Sequence, residues 1–186
     1  MPTALLFTGH MVDLPERQTP RFPQGLVPSA RSAIGEKLAP YGARADAKGF
    51  ASLARGGDIL FHEECRRRGI ATLIVLPFAP DKFIATSVDG VPGSDWVARF
   101  QALWDATPQA DREILDLPTA DAAYAACNDR LLERARQYGK VNLIALWDGK
   151  RGDGQGGAAH FIDQAKAQAP DTEISVIALS QLTQTE

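Results

Sequence analysis

The chain has 186 residues, 45% of them hydrophobic and 23% charged, with a formal net charge of −3. That composition suits one globular domain with a full core and excludes wholesale disorder; the longest apolar runs fall well short of the roughly 20 residues that a membrane-spanning helix needs. The acidic balance argues against a generic polyanion-binding surface, so nucleic acid is disfavoured as a partner, and no membrane partner is expected.

The opening MPTALLFTGHM lacks a basic leader region and reads as a first strand, at 5–8, rather than a signal peptide. A proline-broken stretch (Pro15, Pro20, Pro23, Pro28) follows. Ser29 can then cap a helix running to Leu38, before a weak strand at 43–51. The next helix spans 58–68, with Arg66, Arg67 and Arg68 as its cationic tail and Gly69 as its stop. The run TLIVL at 72–76 is apolar on both faces, as an interior parallel strand should be. Ser94 is placed to cap a helix carrying Trp96, Val97, Phe100, Leu103 and Trp104 on one face, a core stripe rather than a cofactor box.

A modest strand at 113–117 comes next, then the clearest helix, 120–138, with Tyr124, Cys127, Leu131, Ala135 and Tyr138 at spacings of three and four. The strand 141–147, a glycine-rich loop, a helix at 157–168 and a last strand at 173–179 complete the chain. Strands alternating with helices predict an α/β fold with one doubly wound, mostly parallel sheet. No interdomain linker interrupts residues 1–186, which read as a single domain. Ligands of such sheets sit outside the carboxyl ends of the strands. That rule picks out the loops after Thr8, after Ala51 and after Trp147.

Glycines 152, 154 and 157 spell G-x-G-x-x-G, but four residues separate Trp147 from Gly152 and a dinucleotide fingerprint turns directly off its strand. What survives is a pair, Gly156 and Gly157, opening a helix whose backbone N–H groups can approach an anion, with Arg151 nearby. The loop from Ser52 through Ala54, Arg55, Gly56 and Gly57 to Asp58 follows the same logic, and Thr8-Gly9-His10 is short and tight. The alternative for these glycine loops is plain surface flexibility. Neither His10, His62 nor His160 has helical ligand spacing, so no metal and no cofactor is expected. Cys65 and Cys127 fit neither a disulfide framework nor a zinc site and read as reduced thiols of a cytoplasmic protein. Glu63 and Glu64 point about 100° apart on their helix, and the Glu64–Arg68 spacing favours the surface for Glu64.

The segment GFASLARGGD at 49–58 resembles the signature loop of the SLOG superfamily, Rossmann-like domains related to the Lonely Guy phosphoribohydrolases and the DNA-processing protein A family. The opening Phe7-Thr8-Gly9-His10, the strand ending in Pro77-Phe78, the segment FIATSV at 83–88 and the late strand–Gly-Gly–helix unit agree in order. The resemblance implies a Rossmann-like three-layer sandwich and a pocket for a nucleotide or nucleotide-derived second messenger, as in sensors of bacterial signalling and defence. By position Gly9, Ser52, Ala54, Gly56, Gly57 and Asp58 match the first ligand loops, and Gly156 and Gly157 the phosphate-facing helix start. Beside them Phe78 or Trp147 is suited to stack a base, Arg55 or Arg151 to pair a phosphate, and Pro77 and His160 to flank the ligand. An effector acting with this domain is expected as a separate protein, and related domains commonly form homodimers.

Lonely Guy enzymes carry two glutamates after their glycine pair, where this chain has GAAHFID. Cleavage of a nucleotide N-glycosidic bond needs a carboxylate, and Glu63 and Asp163 are the candidates if the protein is a hydrolase. Their mismatch ranks ligand binding above hydrolysis, and both above binding of single-stranded DNA.

Overall fold

The computed structural model describes residues 1–151 and 156–184. Its strands are β1 (Thr3–Gly9), β2 (Ala47–Ala51), β3 (Ala71–Leu76), β4 (Arg112–Ile114), β5 (Lys140–Trp147) and β6 (Glu173–Ala178). The helices are α1 (Val27–Leu38), α2 (Gly57–Arg67), α3 (Pro80–Phe83, running on into a π-turn at Ile84–Val88), α4 (Trp96–Ala106), α5 (Asp121–Tyr138) and α6 (Ala158–Gln168). The strands pair in the order β4-β3-β2-β1-β5-β6, every pairing parallel. The fold is therefore the α/β, Rossmann-like three-layer sandwich that the alternating pattern predicts. Among the described residues no helix is long and apolar enough to cross a membrane.

Side chains alternate across the sheet, and the two faces bury separate cores. Leu5 and Phe7 pack with Ile34 and Leu38 of α1, Ile59 and Phe61 of α2 and Phe100 of α4. Ala4 and Leu6 pack on the opposite face with Cys127 and Leu131 of α5 and Phe161 of α6. This division follows from right-handed crossovers: the chain winds outward from β1 through β2 and β3 to β4, then returns to the other side of β1 for β5 and β6. The direction reverses between β1 and β5, whose ends meet at the pair Gly9–Leu146.

Several local expectations shift. Helix α1 begins two residues before Ser29, because Pro28 sits in the first turn, where no N–H is needed. The Ser29 hydroxyl donates instead to Thr183 O. Ser94 is not the cap of α4 either; its hydroxyl donates to Val91 O at 2.7 Å, and Asp95 precedes the helix. Val97 lies 38% exposed, outside the stripe formed by Trp96, Phe100 and Leu103. Strand β2 starts only at Ala47, after a turn in which Ala43 has φ 57°. Asp116 (φ 51°) ends β4 early, although Leu115 and Leu117 still donate to Leu76 O and Pro77 O.

Glu64 is the clearest correction. It is fully buried, not surface, with Arg68 and Arg31 bonded to its carboxylate and Arg67 at 3.1 Å. Helix α1 packs over α2 at this point and covers it. An i,i+4 ion pair marks a helical neighbour, and says nothing about what lies above the pair.

Candidate functional site

The segment after β1 turns back over the carboxyl edge of the sheet. Two buried apolar residues, Val12 and Phe22, pin it, while Asp13 Oδ2 accepts the amides of Arg21 and Phe22 at 2.8 and 2.9 Å. Arg21 then reaches β5's end, with Nε 2.8 Å from Asp148 Oδ2 and Nη2 2.9 Å from Oδ1. His10 Nε2 stands 3.1 Å from the same Oδ1. Hydrogen bonds from Arg21 hold the Asp148 carboxyl far below the usual carboxylate range. This clamp ties the β1 and β5 loops together at the point where the strand order reverses.

Beneath the strap lies a cavity of about 500 Å³, within the roughly 300–1,000 Å³ range of small-molecule sites. Its wall draws on the β1 loop, the β2–α2 loop, the π-turn after α3, the first half of α5 and the start of α6. Burial sorts the wall into floor and rim. Phe7, Thr8, Asp58, Cys127 and Leu131 form a largely enclosed floor, whereas Glu16, Arg17 and Asp121 stand exposed at the mouth. One side carries a closed ring of hydroxyls: Thr86 Oγ1 to Ser87 Oγ 3.1 Å, Ser87 Oγ to Tyr124 OH 3.1 Å, and Tyr124 OH to Thr86 Oγ1 3.3 Å. Ser52 Oγ, also in the wall, is enclosed and has no hydrogen-bond partner among the described residues.

Glycine is required where backbones close on one another. At Gly56 (φ +91°) a Cβ would stand 2.7 Å from Val12 N, and at Gly156 (φ +104°) it would stand 2.5 Å from Tyr124 Cβ. Both contacts bring a loop against the cavity wall. Asn128 Nδ2 donates to Gly156 O at 3.0 Å, which fixes the α6 loop to α5.

Asp58 is the unusual charge in this wall. It is 9% exposed, and among the described residues its Oδ2 accepts one hydrogen bond, from the Ala54 amide at 3.2 Å. Burial pushes its pKa up to about 7, against a small opposing pull from that amide. One turn further along α2, His62 donates from Nε2 to Ser52 O at 2.9 Å, and burial pushes its pKa down to about 4. Arg55 is 4% exposed and is held by the carbonyls of Val12 (2.9 Å) and Asp89 (3.3 Å). Burial drives both the Cys65 and Cys127 thiols far above their ordinary value, so neither is a thiolate at neutral pH.

Of the residues singled out in the sequence, Thr8, Gly9, His10, Ser52, Ala54, Arg55, Asp58, Gly156 and Gly157 converge on this cavity. Gly56 and Gly57 stand behind it, Gly57 packed against Gly9. Phe78 is buried beside Phe83 and Tyr124, and neither it nor the buried Pro77 belongs to the wall. Trp147 lies outside the wall and donates from Nε1 to Lys150 O, while His160 Nδ1 accepts the Gly156 amide. Arg151 pairs with Asp163 on the exposed face of α6, at 2.7 Å. Glu63 is held by Arg31 and Arg99 on the outer face of α2, so neither suggested catalytic carboxylate reaches the cavity. Gly152 and Gly154 lie outside the described residues.

Sequence reasoning missed Arg21, Asp148, Thr86, Ser87 and Asn128. A signal was present for Asn128, since Asp121, Tyr124 and Asn128 stand three and four apart and put a polar strip along one face of α5.

No family model matches the chain, and no curated protein does either. The structure is similar to DNA processing protein A (DprA) from Streptococcus pneumoniae at 13% identity, with a TM-score of 0.39, over 99% of this chain and 62% of that one. It is also similar to the Moco carrier protein of Chlamydomonas rheinhardtii at 11% identity, with a TM-score of 0.36, over 97% of this chain and 92% of that one. The chain thus spans less than two thirds of DprA's length.

Proposed function

We infer that the protein is a binding domain for a nucleotide or nucleotide-derived ligand, acting as a sensor rather than a hydrolase. The observation that carries this reading is the convergence of the two glycine-bearing loops and the start of α6 on one cavity of about 500 Å³ at the β1–β5 reversal. Open α/β sheets take ligands at such a reversal. Gly157 caps the 11-residue helix α6, whose first turn faces the cavity, and a helix start of that length favours a phosphate. The hydroxyl ring and the Ser52 hydroxyl offer uncharged hydrogen bonds to the sugar or base. Binding is favoured over glycosidic cleavage because Glu63 and Asp163 are committed to arginines outside the wall.

The test is thermal unfolding against mononucleotides, NAD, ADP-ribose and cyclic nucleotides, followed by chromatography of each sample. A ligand at 100 times its Kd adds about 2.7 kcal/mol, roughly 5–10 °C for a chain of this size. Recovery of the ligand unchanged supports the sensor, and release of free base makes the protein a hydrolase. Gly157 has an ordinary φ of −72°, so Gly157→Leu tests the pocket without backbone strain. That variant is expected to melt a few degrees lower, because leucine is a poor N-cap, but to stay folded and lose the ligand shift; a retained shift removes α6 from the site.

A further inference from the structure

We propose that Asp58 is the specificity-determining residue of this cavity and that it selects a ligand presenting a paired N–H donor edge, a ring N–H beside an exocyclic amino group, as guanine does. The proposal rests on the nucleotide-binding reading and names the base that it would prefer.

Asp58 Oδ2 accepts a single backbone amide, and among the described residues Oδ1 has no partner. The basic side chains of the same wall are engaged elsewhere. Arg55 serves the carbonyls of Val12 and Asp89, Arg21 and His10 bind Asp148, and Arg17 lies 3.4 Å from Asp13. Facing or flanking Asp58 are Cys127 and Tyr124 on α5, Asp121 at the rim, and His62 one turn along α2; none is a cation at neutral pH. The floor that it shares is Phe7, Thr8, Cys127 and Leu131.

A buried carboxylate with one open oxygen and no cation paired to it is poorly compensated, and an acceptor of this kind is worth most to a ligand that brings donors to it. Guanine offers N1–H and its 2-amino group side by side. Hypoxanthine keeps only the ring N–H, and adenine turns an acceptor to the same position, which Asp58 could meet only when protonated. Burial leaves Asp58 about half protonated near pH 7. A guanine-type ligand therefore expels a proton on binding, and its affinity rises with pH until Asp58 is ionised. An adenine-type ligand takes a proton up, and its affinity falls.

The experiment is calorimetric titration of the full chain with GMP, IMP and AMP at pH 6, 7 and 8, in buffers of differing ionisation enthalpy. The phosphate titrates alike in all three, so differences between them report the base. GMP is expected to bind about 10–100-fold more tightly than IMP at pH 8, the worth of one hydrogen bond to a charged group, with net proton release. Asp58→Asn is expected to erase both the preference and the difference in proton exchange between GMP and AMP. Equal affinity for the three nucleotides, proton uptake with GMP, or an undiminished preference in Asp58→Asn overturns the assignment while the binding reading stands. Guanosine run alongside separates the two sites: if it binds as well as GMP, Asp58 keeps its role and the phosphate site on α6 falls. Absence of binding by all four overturns both.

Discussion

Replacing Asp58 with asparagine is expected to stabilise the ligand-free protein at pH 8 and to give no gain near pH 4. A carboxyl raised by burial from 3.8 to about 7 contributes in full below its unfolded value. That contribution disappears as pH rises through the folded value, a loss of about 4 kcal/mol at about 1.36 kcal/mol per tenfold change in proton affinity. His62 works in the opposite sense. Its pKa falls from 6.5 to about 4, so its contribution is full above 6.5 and about 3 kcal/mol is lost as pH falls through 4. Between about pH 4.5 and 6.5 the two slopes nearly cancel, and the pair leaves the native protein's stability almost flat there. Asparagine removes one slope and exposes the other. Its amide oxygen can still accept the Ala54 N–H, but a buried amide has its own cost, so the expected gain at pH 8 is about 2–4 kcal/mol. The assay is urea denaturation of both proteins from pH 4.5 to 8, in which groups common to both cancel in the difference. A gain of equal size at pH 5 and pH 8, or a loss at pH 8, would refute the reasoning.

Two further variants probe the frame of the site. Asp148→Asn removes the charge that holds Arg21 and His10 across the β1–β5 reversal. It is expected to cost about 2–3 kcal/mol at pH 7, typical of partly buried charge-assisted bonds. Because the Asp148 pKa is held below its ordinary value of 3.8, this contribution is present above 3.8 and fades as pH falls through the folded value. Melts of native and variant protein should therefore draw together in strong acid. Gly56→Ala must take φ +91° and place a Cβ 2.7 Å from Val12 N. It is expected to cost about 2–4 kcal/mol, whereas a melt within about 1 °C of the native protein would deny the close approach of the two loops.

Much of the architecture can be read directly from short windows of sequence. The runs 72–76 and 141–147 are apolar on both faces and become interior strands β3 and β5. The spacing along 120–138 becomes α5, and Gly69 and Gly157 mark the end of one helix and the start of another. These features are local: strand and helix periods and glycine positions act over a few residues, whatever surrounds them. The glycine loops before α2 and α6 were recognisable for the same reason, since a helix start carries its unpaired N–H groups wherever it lies.

What had no local signature was decided by which chain ends the sheet brings together. Arg21 meets Asp148 across 127 residues because the strand order sets Gly9 beside Leu146. The proline-broken segment 13–23 gave no period to read, yet its buried Phe22 folds it over the carboxyl edge as a strap. The sequence separates Glu63 from Glu64 by direction on the helix, but only the packing of α1 and α4 on α2 brings Arg31 and Arg99 to Glu63 and buries Glu64 beneath Arg31. The sequence places Asp58 in a candidate ligand loop but not in a buried setting; enclosure between α2 and α5 is what raises its pKa. Backbone periodicity is a property of neighbours along the chain, whereas burial and ion pairing belong to neighbours in space, and those exist only once the sheet has closed.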